Sequence, residues 1–426
     1  MFVERACPDD VEVLVVPAHR CGVVVPEPGE PEEIFVVVVE PPVPSDAAPV
    51  LETGVDLGMT PAYGGLAPIA QRTGRRVVIV DLPGTGHSQP SLDCPEVESL
   101  GDATASDDPA RLTDAVAACR ARLQREGVDV AGLIPARLGE ALAAVMTALD
   151  EPRWVVMGHG TTAEAGRQLA LTHPERVEAL VVDSLVADPG IDLDPLVIAV
   201  SDLCRAEPGC RRRYGDPEQD WRRARRDLDR RPLSVDIPHG TVRIDGATLE
   251  RGVRWLTGPV EGPAALPAFL EEAATRRPGP HLQLLAATLS VAPPLCVGYV
   301  PKCETDERLV IGATLSAQCP TAAQLPGWQG VCRAWGITTD QADPTHLTGV
   351  PVLALSGRLD PFAPPELIDS HLQRLAPDAH HVELAAGGHN VLGVECTRTV
   401  RNTWLAGDLD QPPSPEPCLQ DPPTFD

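Results

Sequence analysis

The pentapeptide Gly158-His159-Gly160-Thr161-Thr162 lies where an apolar run, Trp154 to Met157, gives way to a helix beginning near Thr161, with a second apolar run at Val177 to Asp183. A sharp strand-to-helix turn of this kind is the setting of the nucleophile elbow G-x-S-x-G, which presents a serine hydroxyl above the end of a sheet for covalent catalysis. Gly160 stands at the serine position and carries no hydroxyl. Glycine suits the turn itself, because elbow torsions cost other residues about 1–3 kcal/mol and glycine little. Three neighbours carry alternative reactive groups. Thr161 starts the helix, where its hydroxyl is expected to cap and its backbone N–H could face a developing oxyanion. Thr162 is expected to face the helix-packing side, and His159, just before the tip, to point into the surrounding structure.

Twelve cysteines form the second chemically distinctive set. In chain order they fall into six short-range pairs: Cys7 with Cys21, Cys94 with Cys119, Cys204 with Cys210, Cys296 with Cys303, Cys319 with Cys332, and Cys396 with Cys418. Spacing alone does not fix connectivity among on the order of ten thousand arrangements. The competing reading, a metal site, lacks a C-x-x-C pair and a histidine cluster beside the cysteines, so no metal and no cofactor is expected. An even, high cysteine count points to an oxidising, extracytoplasmic compartment. The first residues lack the charged-then-apolar pattern of a signal peptide, so that reading requires a leader absent from this chain; a cytoplasmic location is the alternative.

These groups need elements to hold them. Ile34 to Val39 and Val77 to Val80 are apolar, mostly β-branched runs of the kind that form strands buried on both faces. Helices are expected over Pro109 to Glu126, capped by Asp108, and over Ile134 to Leu149, ahead of the strand that leads to Gly158. Strand, helix and strand alternate, which predicts an α/β fold with a mostly parallel central sheet and helices on both faces. From 188 to 345 the alternation stops. Asp216-Pro217-Glu218 reads as a helix start, with Trp221, Ala224 and Leu228 on one face and arginines on a solvated one. Leu233 to Ile244 reads as a hairpin about Pro238-His239-Gly240. This stretch is expected to be a mainly helical cap inserted between core segments 1–187 and 346–426. Strands resume at Val350 to Leu355 and near His381 to Leu384, and a proline-rich acidic tail begins at Gln411.

Net charge −26 and a pI near 4.7 argue against nucleic acid or an anionic lipid surface as partner. No stretch approaches the roughly 20 apolar residues of a membrane span. Lys302 is the sole lysine, and arginine, alanine and proline are abundant, a sign of GC-rich coding that says little about chemistry.

Several stretches, in this order and spacing, make the chain resemble the tripeptidyl-aminopeptidase-like and prolyl-aminopeptidase-like branch of the α/β-hydrolases. They are Cys21-Gly22-Val23-Val24-Val25-Pro26, then Asp81-Leu82-Pro83-Gly84-Thr85-Gly86-His87-Ser88 with Pro90-Ser91-Leu92-Asp93-Cys94-Pro95-Glu96, then His173-Pro174-Glu175-Arg176-Val177, Ser356-Gly357-Arg358-Leu359-Asp360-Pro361 and Gly387-Gly388-His389. The resemblance implies a capped enzyme with a Ser-Asp-His triad, commonly exported. Carried over, the acid is Asp360 and the base His389, in the chain order of the fold; the alternatives are a turn aspartate and a surface histidine. The same carry-over puts the family serine on Gly160 and the closing glycine of the elbow on Thr162. The oxyanion loop Gly-Gly-Pro-Gly is replaced by Gly54-Val55-Asp56-Leu57-Gly58, and the amine-binding glutamate expected after Cys319 by Pro320-Thr321.

Three functional readings follow. In the first, His389 oriented by Asp360 moves a proton on a small-molecule or peptide-derived ligand lying under the cap in the space the serine left, for isomerisation, elimination, cyclisation or addition, as in bacterial specialised metabolism. In the second, the chain is a catalytically inactive pseudoenzyme that binds such a ligand. In the third, it cleaves peptides or esters with another nucleophile or an activated water. With aromatics at 3% of residues, a stacking platform for sugars or bases is not expected.

Overall fold

The computed structural model describes residues 1–9, 11, 18–26, 32–43, 45–54, 67–100, 109–128, 130, 135–185, 192–238, 240–258, 262–291, 315, 319, 328–337, 345–418 and 425. Among these residues nine strands form one sheet: β1 (Phe2–Arg5), β2 (His19–Val24), β3 (Ile34–Val39), β4 (Val50–Glu52), β5 (Val77–Val80), β6 (Trp154–His159), β7 (Val177–Asp183), β10 (Val352–Gly357) and β11 (His380–Leu384), in the order β1-β2-β3-β5-β4-β6-β7-β10-β11. The hairpin β8 (Leu233–Ile237) and β9 (Gly240–Ile244) stands apart, in the inserted region. Pairing from β5 through β4, β6, β7 and β10 to β11 is parallel, and β1, β2 and β3 add antiparallel pairs at one edge.

The central strands, β3 among them, are apolar on both faces because both faces are covered. Val36 and Val38 of β3 and Val156 of β6 join one core with the helices Pro109–Arg125, Pro135–Ala148, Thr161–Thr172 and Pro365–Leu375. Their alternate neighbours, Phe35, Val37, Val155 and Met157, join the opposite core with the helices Ala67–Thr73 and Glu395–Ala406. The period of two along each strand sends successive side chains to opposite helical layers.

Between β7 and β10 lies an inserted, mainly helical region with its own core. The helix Pro217–Arg230 buries Trp221, Ala224 and Leu228 against residues of the helices Gly246–Thr257 and Leu266–Thr275. Its arginines lie on the outer face, where Arg222 and Arg223 reach Glu218 and Asp227, acids of their own helix. Asp216 occupies the N-cap position as expected, but its side chain makes no capping bond and pairs instead with Arg205 at 3.3 Å.

Five of the six sequential cysteine pairs are bonded: Cys7–Cys21, Cys94–Cys119, Cys204–Cys210, Cys319–Cys332 and Cys396–Cys418. Cys296, Cys303, Asp108, His239 and the segments 55–58 and 320–321 lie outside the described residues. Three strands have no counterpart in the sequence reading: β1, β2 and β4 are short or mix polar with apolar residues, and pairing rather than periodicity holds them.

Candidate functional site

The parallel strands end together at their carboxyl ends, the usual location of sites in open α/β sheets, and there four polar side chains are brought together. β6 ends at His159; Gly160 follows with φ 51°, ψ −120°, and the helix Thr161–Thr172 begins at the next residue. Such torsions belong to the region that favours glycine, so the elbow turn is present with glycine at its tip. Gly160 N–H donates to the Asp183 carbonyl of β7 at 3.0 Å, which ties the turn to the neighbouring strand.

His389 lies on the loop after β11. Its Nδ1 is 2.8 Å from Asp360 Oδ2, and the two residues are 5% and 2% exposed. Asp360 Oδ1 accepts backbone N–H bonds from Phe362 at 2.8 Å and Ala363 at 2.9 Å. Burial pushes the Asp360 carboxyl upward, but the charge and hydrogen bond of His389 and those two N–H donors outweigh it, and the carboxyl sits below its ordinary value. The acid is ionised and the imidazole is held with Nδ1–H toward it.

The strand Val352–Gly357 must pass close under the histidine loop for this to happen. A Cβ at Gly357 would lie 2.1 Å from the Gly388 carbonyl oxygen and 2.3 Å from that of Gly387, so only glycine allows the approach. The inserted region holds both loops from the other side. His389 N–H donates to the Gly258 carbonyl at 2.7 Å, just beyond the helix Gly246–Thr257, and Arg254 of that helix donates to the Pro361 carbonyl at 2.8 Å. The Phe362 ring meets the imidazole of His389 edge-on, with centroids 5.1 Å apart.

His159 departs from expectation. Instead of turning away into the surrounding structure, its Nε2 lies 3.0 Å from His389 Nε2, with the rings T-shaped and centroids 4.6 Å apart. His389 Nε2 is therefore met by an imidazole, and the expected vacancy beside it is filled from within the chain. The physical reason lies in Gly160: with no side chain at the tip, the ring before it can swing into the gap, where a buried polar partner is available.

His159 Nδ1 is 3.2 Å from Asp183 Oδ2, within ion-pair distance but outside hydrogen-bond alignment. Asp183 Oδ2 also accepts the Leu392 N–H at 2.8 Å. Ser184 Oγ lies 3.2 Å from Asp183 Oδ1 and 3.1 Å from Asp360 Oδ2, so one hydroxyl proton serves two carboxylates. The four titratable groups thus form a row, Asp360–His389–His159–Asp183, and Ser184 closes it into a ring.

Thr162 is buried, and its hydroxyl is committed to the backbone. It accepts the His159 N–H at 2.9 Å and lies 2.9 Å from the His159 carbonyl and 3.3 Å from that of Gly54. Gly54 is buried after β4. Thr161 contributes the first residue of its helix; its side chain lies outside the described residues. Among the described residues no three histidine, cysteine or acidic side chains cluster as metal ligands.

Asp183, Ser184 and Glu52 escaped the sequence reading. The signal was present: each lies at or just past the carboxyl end of an apolar parallel strand, where a polar residue interrupts the run. Glu52 is buried at the end of β4, and burial, with the charge of Asp183, pushes its carboxyl up to about 8 against the opposing influence of Arg401 and the Gly54 backbone. Arg401, lowered to about 10 chiefly by its own burial, remains charged at neutral pH. Because folded Glu52 keeps its proton where the unfolded chain has lost it, the native state binds more protons between about pH 4.5 and 8. Stability from this group is complete below that window and falls as pH rises through it, at a ceiling of roughly 1.4 kcal/mol per pH unit. Glu52→Gln is expected to flatten that slope, so that thermal melts of variant and wild type diverge increasingly from pH 5 to pH 8; parallel melting curves across the window would contradict the buried, protonated carboxyl.

Two family models match the chain: α/β hydrolase fold over residues 57–201 and TAP-like protein over residues 319–412. No curated protein matches it. Solved structures with the same architecture include a proline iminopeptidase from Mycobacterium smegmatis, with 16% identity, TM-score 0.39 and coverage of 91% of this chain and 98% of that one. Others are a thermophilic esterase from Thermogutta terrifontis, with 14% identity, TM-score 0.40 and coverage of 91% and 98%, and the juvenile hormone epoxide hydrolase of Bombyx mori, with 12% identity, TM-score 0.41 and coverage of 91% and 75%. Likeness at this level bears on neither substrate nor reaction. With these two matches, a mostly parallel sheet and a helical region inserted between β7 and β10, the chain has the α/β-hydrolase fold.

Proposed function

We propose that this protein has lost the covalent step of its superfamily and performs non-hydrolytic acid/base chemistry on a small molecule or peptide-derived ligand, with His389 as the proton-transfer group and Asp360 as its orienting acid. The single observation that carries this reading is the buried His389–Asp360 pair at 2.8 Å standing over an elbow whose tip is Gly160. A buried carboxylate costs several kcal/mol to desolvate, and a purely structural residue at 360 would have no need to be ionised. Isomerisation, elimination, cyclisation or addition suits a base without a nucleophile. In this reading the core comprises 1–187 and 346–426, and residues 188–345 form the cap over the ligand.

A binding pseudoenzyme is the second reading, favoured by the contact that fills the space beside His389 Nε2. Hydrolysis through Thr162 is disfavoured by the backbone bonds of its hydroxyl. The disulfides support an extracytoplasmic setting, and no described helix is long and apolar enough to cross a membrane.

A fluorophosphonate probe tests the absence of an activated hydroxyl directly. Wild type is expected to remain unlabelled under conditions that label a serine peptidase fully, and Gly160→Ser is expected to stay unlabelled too, because His159 occupies His389 Nε2. Adduct mass on any serine or threonine of the site would overturn the proposal in favour of hydrolysis.

A further inference from the structure

The inserted region reverses the charge of the protein. Residues 205–231 hold ten arginines and six acidic residues, in a chain whose net charge is −26. Eight of the ten lie on the helices Pro208–Tyr214 and Pro217–Arg230. An α-helix turns about 100° per residue, so the buried Pro217, Trp221, Ala224 and Leu228 mark one face of the second helix, and Arg222, Arg223, Arg226 and Arg230 fall on the side opposite it. All four are exposed. The acids of the helix lie on its flanks, Glu218 and Asp229 on one side, Asp220 and Asp227 on the other. Arg222 reaches Glu218 at 2.5 Å and Arg223 reaches Asp227 at 3.8 Å, whereas Arg226, Arg230 and the adjoining Arg231 form no ion pair among the described residues. Arg225 shows the contrast: on the flank, it is held by Asp194 at 3.0 Å and Glu250 at 2.7 Å and lies over the Trp221 ring. Like charges four residues apart destabilise a helix, and Arg222, Arg226 and Arg230 set two such pairs in line. The stability of the helix does not account for the ridge, and an anion from outside does.

We propose that Arg222, Arg223, Arg226, Arg230 and Arg231 form a docking surface for a short acidic peptide segment, extended, with aspartate or glutamate at alternate positions. The spacing selects this partner. Along the ridge successive arginines are about 6 Å apart, four residues at a rise of about 1.5 Å. Side chains on one face of an extended peptide recur at about 6.7 Å. Three alternate carboxylates therefore meet Arg222, Arg226 and Arg230 with a total mismatch of roughly 1.5 Å, which the long arginine stems absorb. Each guanidinium fork can then take a carboxylate through two N–H donors. A long polyanion suits the surface less well. It would run past the ridge onto an otherwise acidic protein, where repulsion acts over a Debye length of about 8 Å at physiological salt. Binding at the ridge does not depend on what His389 does.

The test is fluorescence anisotropy of the intact, disulfide-bonded protein with a labelled peptide of alternating glutamate and serine. Wild type is expected to bind it, more weakly as salt rises, and not to bind the matching lysine and serine peptide. Arg226→Glu, at the centre of the ridge, is expected to weaken binding about tenfold. The same change turns both like-charge pairs of the helix into opposite-charge ones, so the melting temperature should hold or rise while binding falls. Arg374→Glu, an equal charge reversal on an exposed arginine of the helix Pro365–Leu375, should leave binding unchanged. His389→Ala should bind the peptide as wild type does, which separates failure of this surface from failure of the proton-transfer reading. No binding by wild type at low salt, binding unmoved by Arg226→Glu, or an equal loss from Arg374→Glu would overturn the proposal. Inorganic polyphosphate bound more tightly than the peptide, and released by Arg226→Glu, would overturn it in favour of a phosphate polymer.

Discussion

Replacing His389 with alanine is expected to reduce turnover by about 10²–10⁴, the usual contribution of a positioned general acid or base, while leaving the fold and ligand affinity largely intact. The fold should survive because the loop is held by its backbone: His389 N–H donates to Gly258, and Leu392 N–H to Asp183. Asp360→Asn should also cost activity, since an amide presents either an N–H against the His389 Nδ1–H or a weaker acceptor, and loses the charge that balances imidazolium. It removes an ionised partner of Ser184 and His389, so part of its effect should appear as lower stability. The measurement is incubation of wild type and both variants with candidate carbonyl-containing small molecules and short peptides in deuterium oxide, following products and deuterium uptake by mass spectrometry. Equal conversion by wild type and His389→Ala would remove His389 from the mechanism. Ligand binding without conversion by wild type, and similar affinity in His389→Ala, is the outcome that belongs to a binding protein.

Full reduction of the disulfides is expected to unfold the protein at physiological temperature. Each of the five bonded pairs closes a loop of 6 to 25 residues, and a bridge typically contributes about 2–4 kcal/mol. Domains have about 5–15 kcal/mol of net stability in all, so losing several bridges exhausts it. The bridges are also spread over the structure. Cys94–Cys119 and Cys319–Cys332 sit within one helical layer, Cys7–Cys21 and Cys396–Cys418 in the layer on the opposite face, and Cys204–Cys210 in the inserted region. Reduction therefore loosens both layers at once. Peptide mapping of the unreduced protein should recover the five named pairs, and circular dichroism with a strong reductant should lose the cooperative transition. A melting temperature unchanged by complete reduction would show that the bridges are dispensable and withdraw the support they give to an oxidising compartment.

Strand and helix positions were legible where local pattern is decisive. Ile34–Val39, Val77–Val80 and Val177–Asp183 are strands over the residues their apolar runs mark, because a strand covered on both faces is apolar almost throughout. The helix starting at Pro217 follows from Pro at the first turn and the spacing of Trp221, Ala224 and Leu228. The glycine at the elbow and the order of Asp360 and His389 along the chain were likewise readable, because each is a matter of residue type beside a strand end. β1, β2 and β4 were not, since what holds short, mixed strands is a partner distant in sequence. Nor was the destination of His159. From sequence a residue beside a strand tip has two possible directions, and the choice depends on whether residue 160 carries a side chain and on what the loop after β11, 230 residues away, brings within reach. Asp183 and Ser184 end their strand as any polar pair might, and only register placed them beside Asp360 and His159. The sequence by itself determined the scaffold, the glycine at the strand-to-helix turn and one dyad; tertiary packing decided that a second imidazole meets His389 Nε2 and that two carboxylates flank the pair, because relations among groups on four separate strands exist only once the sheet has brought their carboxyl ends together.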